Sequence, residues 1–165
     1  MNVSLRRVWN VFPGPLLQRP KKLQVAALCH RGEGAETEYL LVTSRDTLLI
    51  RSLDSNRWII PKGWPIRGLK SNETALQEAW EEAGVRHSRA SSTPIGHYSY
   101  AKRQPSGLEI PVETLVYSVA VQDLAKEFPE AHERTRKWVS AEAASKMVDE
   151  PELQSIFRNR IVKSA

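Results

Sequence analysis

Cysteine is almost absent. Cys29 is the only one, so the chain can close no internal disulfide and build no cysteine-based zinc site. It ends the apolar run Val25-Ala26-Ala27-Leu28-Cys29, which suits a buried small hydrophobe. A reactive thiol needs an exposed, electropositive setting that this run does not supply. Long hydrophobic runs are missing too, and no segment approaches the roughly 18 apolar residues needed to span a bilayer. Arg6 and Arg7 are followed by no apolar stretch of about 7–15 residues, so no secretory signal is expected. These absences lead us to expect a soluble cytoplasmic protein. The four histidines, His30, His87, His97 and His132, show no paired metal-ligand spacing and read as structural or exposed. Internal repeats and low-complexity tracts are also lacking.

What is present has average globular composition, 41% hydrophobic and 26% charged over 165 residues. That suffices for one core and is short for two domains, and it excludes a disordered tail or a fibre. Lys and Arg number 24 against 19 Asp and Glu, a net charge of +5. The surplus is uneven: residues 1–70 hold 12 basic and 5 acidic side chains, residues 71–165 hold 12 and 14. A basic half beside an acidic half suggests an anionic partner met by one end of the fold. No RNP-like aromatic run or helix-turn-helix pattern points to sequence-specific nucleic-acid reading.

Pro13, Pro15 and Pro20 make residues 1–22 an N-terminal arm ahead of a single domain. Strands are expected over Leu23–Arg31, Tyr39–Val42, Thr47–Arg51 and Arg57–Ile60, with a turn at residues 52–56. A loop with Gly63, Gly68 and two prolines follows, then a helix capped by Ser71 or Asn72 and ended by Gly84. Ile95–Arg103 and Pro111–Val121 read as long strands around a turn at residues 104–107. Lys137–Val139 reads as a short strand before a helical region broken near Pro151. Strands and helices are interspersed without regular βαβ alternation, which favours a mixed sheet flanked by helices.

The helix is the most informative segment. At about 100° per residue, Glu82 falls some 40° from Glu78 and Glu81 about 60° to its other side. Ala75, Ala79 and Ala83 take a different face, small enough to dock tightly on a sheet. Like charges at these spacings each cost a few tenths of a kcal/mol, and no Lys or Arg on the helix offsets them. Carboxylates gathered this way suit Mg²⁺ or Mn²⁺, since hard cations take oxygen ligands. A solvated acidic face is the plainer alternative. The preceding loop argues against it, because Lys62, Arg67 and Lys70 bring positive charge beside the acids, as a metal–phosphate site requires.

Residues 63–85 resemble the Nudix box, G-x5-E-x7-R-E-U-x-E-E-x-G-U, with U usually a bulky aliphatic. Gly63, Glu78, Glu81, Glu82, Gly84 and Val85 match, whereas the first Glu is Leu69, the Arg is Gln77 and the first U is Ala79. The approach Trp58-Ile59-Ile60-Pro61-Lys62-Gly63 strengthens the match. Arg57 to Gly63 look most like the subgroup hydrolysing diphosphoinositol and diadenosine polyphosphates. The resemblance implies an α/β/α sandwich with a mixed sheet and hydrolysis of a phosphoanhydride bond in a nucleoside or inositol polyphosphate. It implies that Glu78, Glu81 and Glu82 hold about one to three Mg²⁺ ions, which neutralise pyrophosphate oxygens and activate a water for in-line attack.

Glu82 or Glu78 would act as base, or an acid outside the box, for which Glu130 and Glu133 are candidates. Their plainer reading is as exposed loop acids. Lys62, Arg67, Arg45, Lys102, Arg103 and Arg136 are candidate phosphate contacts, with Arg51 and Arg57 weaker. Trp58 and Trp64 read as packing residues, Trp64 also being placed to stack on a base. In the family the box Arg holds a catalytic Glu; Gln77 can donate only a neutral hydrogen bond, about half as strong. Glu73 is a candidate stand-in for the carboxylate missing at Leu69. The competing reading is a basic module that binds RNA or phosphorylated ligands without turnover.

Overall fold

A computed structural model of the chain describes residues 20–45 and 57–161. In chain order its elements are β1 (Lys22–Arg31), β2 (Glu38–Thr43), β3 (Trp58–Ile59), β4 (Lys62–Gly63), α1 (Ser71–Ala83), β5 (Val85–Arg86) and β6 (Arg89–Ala90). They continue with β7 (Gly96–Arg103), β8 (Glu109–Ala120), β9 (Asp123–Leu124), β10 (Arg136–Ser140), α2 (Ala141–Met147) and α3 (Pro151–Ile161).

The apolar run of β1 is continuous because the strand is covered on both faces. Val25, Ala27 and Cys29 pack with Ala75, Ala79 and Ala83 of α1. Ala26 and Leu28, pointing the other way, pack with Ala144, Leu153 and Phe157 of α2 and α3. The result is a three-layer α/β/α sandwich. Its mixed sheet runs β10-β2-β1-β8-β6, with β3 added to β2, β4 to β1 and β7 to β8. The β1–β8 pairing is parallel from Lys22↔Val112 to His30↔Ala120, and the other pairs described are antiparallel.

Side-chain size sets how closely α1 approaches. Three fully buried alanines at i, i+4 and i+8 leave no bulk between the helix backbone and β1. The opposite layer is larger and aromatic: Tyr98 and Phe157 are both buried, and Phe157 meets Tyr39 edge to face at 5.4 Å between ring centroids.

Most expected elements are present, with local corrections. β1 starts at Lys22, inside the stretch assigned to the arm; residues 1–19 lie outside the described residues, as do the expected strand Thr47–Arg51 and turn 52–56. Ser71 and Asn72 do not cap α1. The N-cap position is Lys70, and Glu73 does the capping by accepting a hydrogen bond from the Lys70 backbone N–H at 2.7 Å. The carboxylate is favoured there by the positive end of the helix dipole. The C-terminal helical region is broken near Pro151 as expected, into α2 and α3; Pro151 opens α3, where a proline in the first turn loses no intrahelical donor. Gly84 ends α1 as expected, at φ 69°.

A candidate active site at the acidic helix

Helix α1 packs on β1 and β4, and its acidic face borders a cavity of about 280 Å³. Glu78, Glu81 and Glu82 line it, together with Glu130 from the segment between β9 and β10. Lys62, Lys102 and Arg45 line the same space. Acids and bases therefore face one cavity although they come from five separate chain segments.

Each acid has a distinct environment. Glu82 is only 6% exposed; its Oε2 accepts from the Lys62 backbone N–H at 3.2 Å and its Oε1 from Arg134 Nη2 at 2.5 Å. Burial still pushes its carboxyl above the usual range, opposed by the Lys62 and Arg134 charges. Glu81 accepts from Gln77 Nε2 at 2.6 Å, so the amide that replaces the box Arg still reaches a box acid. Glu78 lies against the bare Cα of Gly63. Its pKa is raised to about 7, first by burial and then by the charges of Glu82, Glu81 and Glu130.

The remaining predicted residues separate clearly. Arg45 lines the cavity but is engaged with Glu133 at 2.7 Å and Glu130 at 3.2 Å. That ion pair holds the exposed Glu133 carboxyl below its usual range, and Glu133 does not line the cavity. Lys102 Nζ stands 5.4 Å from the ring centroid of Trp64, an exposed residue at the cavity wall, whereas Trp58 packs on the α2–α3 side of the core. Lys62 Nζ lies 5.6 Å from the Tyr100 ring centroid.

Three predicted bases lie outside the cavity. Arg67 is exposed beyond it, and Arg103 pairs with Glu109 across the β7–β8 hairpin at 3.1 Å. Arg136 donates to the carbonyls of Ala83 and Ala125 at 2.8 and 2.9 Å, satisfying the C-terminal end of α1 as basic side chains commonly do. Arg57 is held by Asp149 and the buried Glu150 at the α2–α3 junction, and Arg51 lies outside the described residues. None of the four histidines lines the cavity.

Sequence reasoning missed Arg134. Its side chain is 4% exposed and contacts Glu82, Glu130 and the Thr43 carbonyl. The one signal available was Glu130 four residues ahead of it, the spacing of a local ion pair.

The donors available to a cation are carboxylate oxygens, the chemistry preferred by Mg²⁺ and Mn²⁺. Four acids crowd one cavity, and Glu78 is charged only against the field of the other three. This set fits a divalent ion. Among the described residues no three such groups already converge on one point; Glu82 and Glu130 face Arg134 instead.

An α/β/α sandwich with a box-bearing helix over a mixed sheet defines a Nudix-type pyrophosphohydrolase. A family model for the NUDIX domain matches residues 20–159, and the chain belongs to that family. The fold is shared with an Ap4A hydrolase from C. elegans, 18% identical over 88% of this chain and 100% of that one, TM-score 0.61. A dihydroneopterin triphosphate pyrophosphohydrolase from E. coli is 14% identical, covering 87% and 99%, TM-score 0.62. The NUDIX domain of Shewanella oneidensis NrtR, solved with ADP ribose, is 16% identical, covering 96% and 97%, TM-score 0.56. No helix among the described residues is long and apolar enough to cross a membrane.

Proposed function

We propose that this protein hydrolyses a phosphoanhydride bond in a nucleoside or inositol polyphosphate, with Mg²⁺ or Mn²⁺ as cofactor. One observation carries the reading: four glutamates and the bases Lys62, Lys102 and Arg45 line a single cavity. Neither charge alone suits a polyphosphate, but acids for the cation and bases for the phosphate oxygens in one cavity do. Glu78, Glu81 and Glu82 would hold the cation, which when bound supplies charge neutralisation and water activation.

The chain's own groups do the rest. The Lys62 backbone N–H orients Glu82, and Gln77 orients Glu81. Glu78 and Glu82 are the leading proton acceptors for the attacking water, and Glu130 is the acid outside the box that shares their cavity. Lys62 and Lys102 bind the phosphates that remain. Trp64, exposed beside Lys102, offers a flat face for a base or an apolar edge of the leaving group. The names of the solved relatives, Ap4A hydrolase and dihydroneopterin triphosphate pyrophosphohydrolase, point to a heterocycle joined to a phosphate chain. Arg67, Arg103 and Arg136 have no part in this reading.

The test is a panel of dinucleoside polyphosphates, nucleotide sugars, capped RNA and diphosphoinositol phosphates, incubated with Mg²⁺ or with EDTA. A product that appears with Mg²⁺ and is lost in EDTA is expected from at least one. Ligand binding without turnover across the whole panel would favour the binding module instead.

A further inference from the structure

A buried cation paired with the acidic helix comes from outside the box. Arg134 lies 52 residues beyond Glu82, just before β10, and its guanidinium is almost fully buried. Each nitrogen is directed at a different segment: Nη2 to Glu82 on α1, Nε to Glu130 in the segment before β10, and Nη1 to the Thr43 carbonyl at the end of β2, 2.6 Å away. A planar fork with fixed donors can hold three acceptors in one arrangement, which a flexible ammonium cannot. The backbone reinforces it, since Glu130 N–H donates to the Glu81 carbonyl at 3.1 Å and Thr135 N–H to Thr43 Oγ1 at 3.0 Å.

From this we infer that Arg134 is a positioning residue for the hydrolytic reaction: it fixes Glu130 opposite Glu82, so that an acid from a loop is held at a set place relative to the acids of the helix. The inference rests on the hydrolase reading above. The charged hydrogen bond that Gln77 cannot give is made here by a residue of another segment, and to Glu82 rather than Glu81. An acid fixed in this way raises turnover through orientation, while phosphate binding by Lys62 and Lys102 is left in place.

The test compares Arg134→Met and Arg134→Lys with the unaltered protein on whichever substrate the panel identifies. Arg134→Met should lower kcat at least 100-fold with KM within about threefold, and Arg134→Lys should fall between it and the parent. Millimolar guanidinium ion added to Arg134→Met should restore at least tenfold of the lost kcat, which a general loss of folding would not allow. Turnover of folded Arg134→Met within threefold of the parent overturns the inference. So does a rise in KM with kcat unchanged.

A second measurement stands apart from catalysis, so that failure of the hydrolase reading and failure of this inference are distinguishable. In urea unfolding of the full chain, the Arg134→Met and Glu130→Gln double variant should lose less than the two single losses together. Strict additivity means the two side chains do not meet in solution, and overturns the inference whatever the substrate panel shows.

Discussion

A Cβ on Gly63 would fall on Oε1 of Glu78, inside the volume that the carboxylate fills. The glycine of the box motif is therefore a matter of space: the backbone of β4 and the Glu78 side chain share one site. The atom met is the end of a flexible side chain, so Gly63→Ala should displace Glu78 and spare the fold. We expect turnover to fall at least tenfold while the urea midpoint changes little, with activity and unfolding measured on the same preparation.

The raised pKa of Glu78 carries a sign. Its carboxyl titrates at about 7 in the fold against 4.5 as the ordinary value. The folded state therefore holds an extra proton between these limits, and stability falls as pH rises through that window. Glu78→Gln removes this contribution. In EDTA the variant should gain on the parent as pH goes from 5 to 8, read as a growing difference in Tm. At pH 8, Mg²⁺ should raise the Tm of the parent more than that of the variant, because a ligand stabilises only the state that binds it.

Arg57 is committed to architecture rather than substrate. Its partner Glu150 is 4% exposed, and removing one member of a buried pair costs about 3–5 kcal/mol because the other charge is left stranded. Arg57 keeps some solvent contact, so Arg57→Met should cost nearer the lower figure, about 3 kcal/mol. KM at a temperature where the variant is folded should not move. A raised KM would return Arg57 to the list of phosphate contacts.

Ala79 stands where the family pattern has a bulky aliphatic, and it is fully buried against β1. Ala79→Leu should destabilise by about 1–3 kcal/mol as the helix is forced away from the strand. The same displacement shifts the neighbouring Glu78, so turnover and urea midpoint should fall together.

The acidic face was legible in the sequence because helix phase is a local property: the 3.6-residue period separates Glu78, Glu81 and Glu82 from Ala75, Ala79 and Ala83 without knowledge of the sheet. The long strands were legible for the same reason, as was the αL glycine at Gly84. Two-residue strands such as β4, β5, β6 and β9 are too short to show any period. The fates of the basic residues were not legible either. Arg136 and Arg45 look alike in the sequence, yet one satisfies the Ala83 carbonyl at the end of α1 and the other meets Glu130 at the cavity. Glu73 looked like a spare carboxylate for the site and is spent on the Lys70 amide. Such choices depend on which segments meet in space, and β1 with β8 decides much of that.

That pairing makes the box inseparable from the rest of the chain. The surface on which α1 rests belongs to β1, and the long parallel partner of β1 lies about 90 residues downstream. A parallel neighbour so distant pays its loop-closure entropy before any pairing rewards it. During synthesis, every glutamate of the helix is made well before the strand that steadies its platform. A fragment ending at residue 90 would carry the whole motif and still lack its foundation, so acquisition of the site must wait for β8 to emerge and pair.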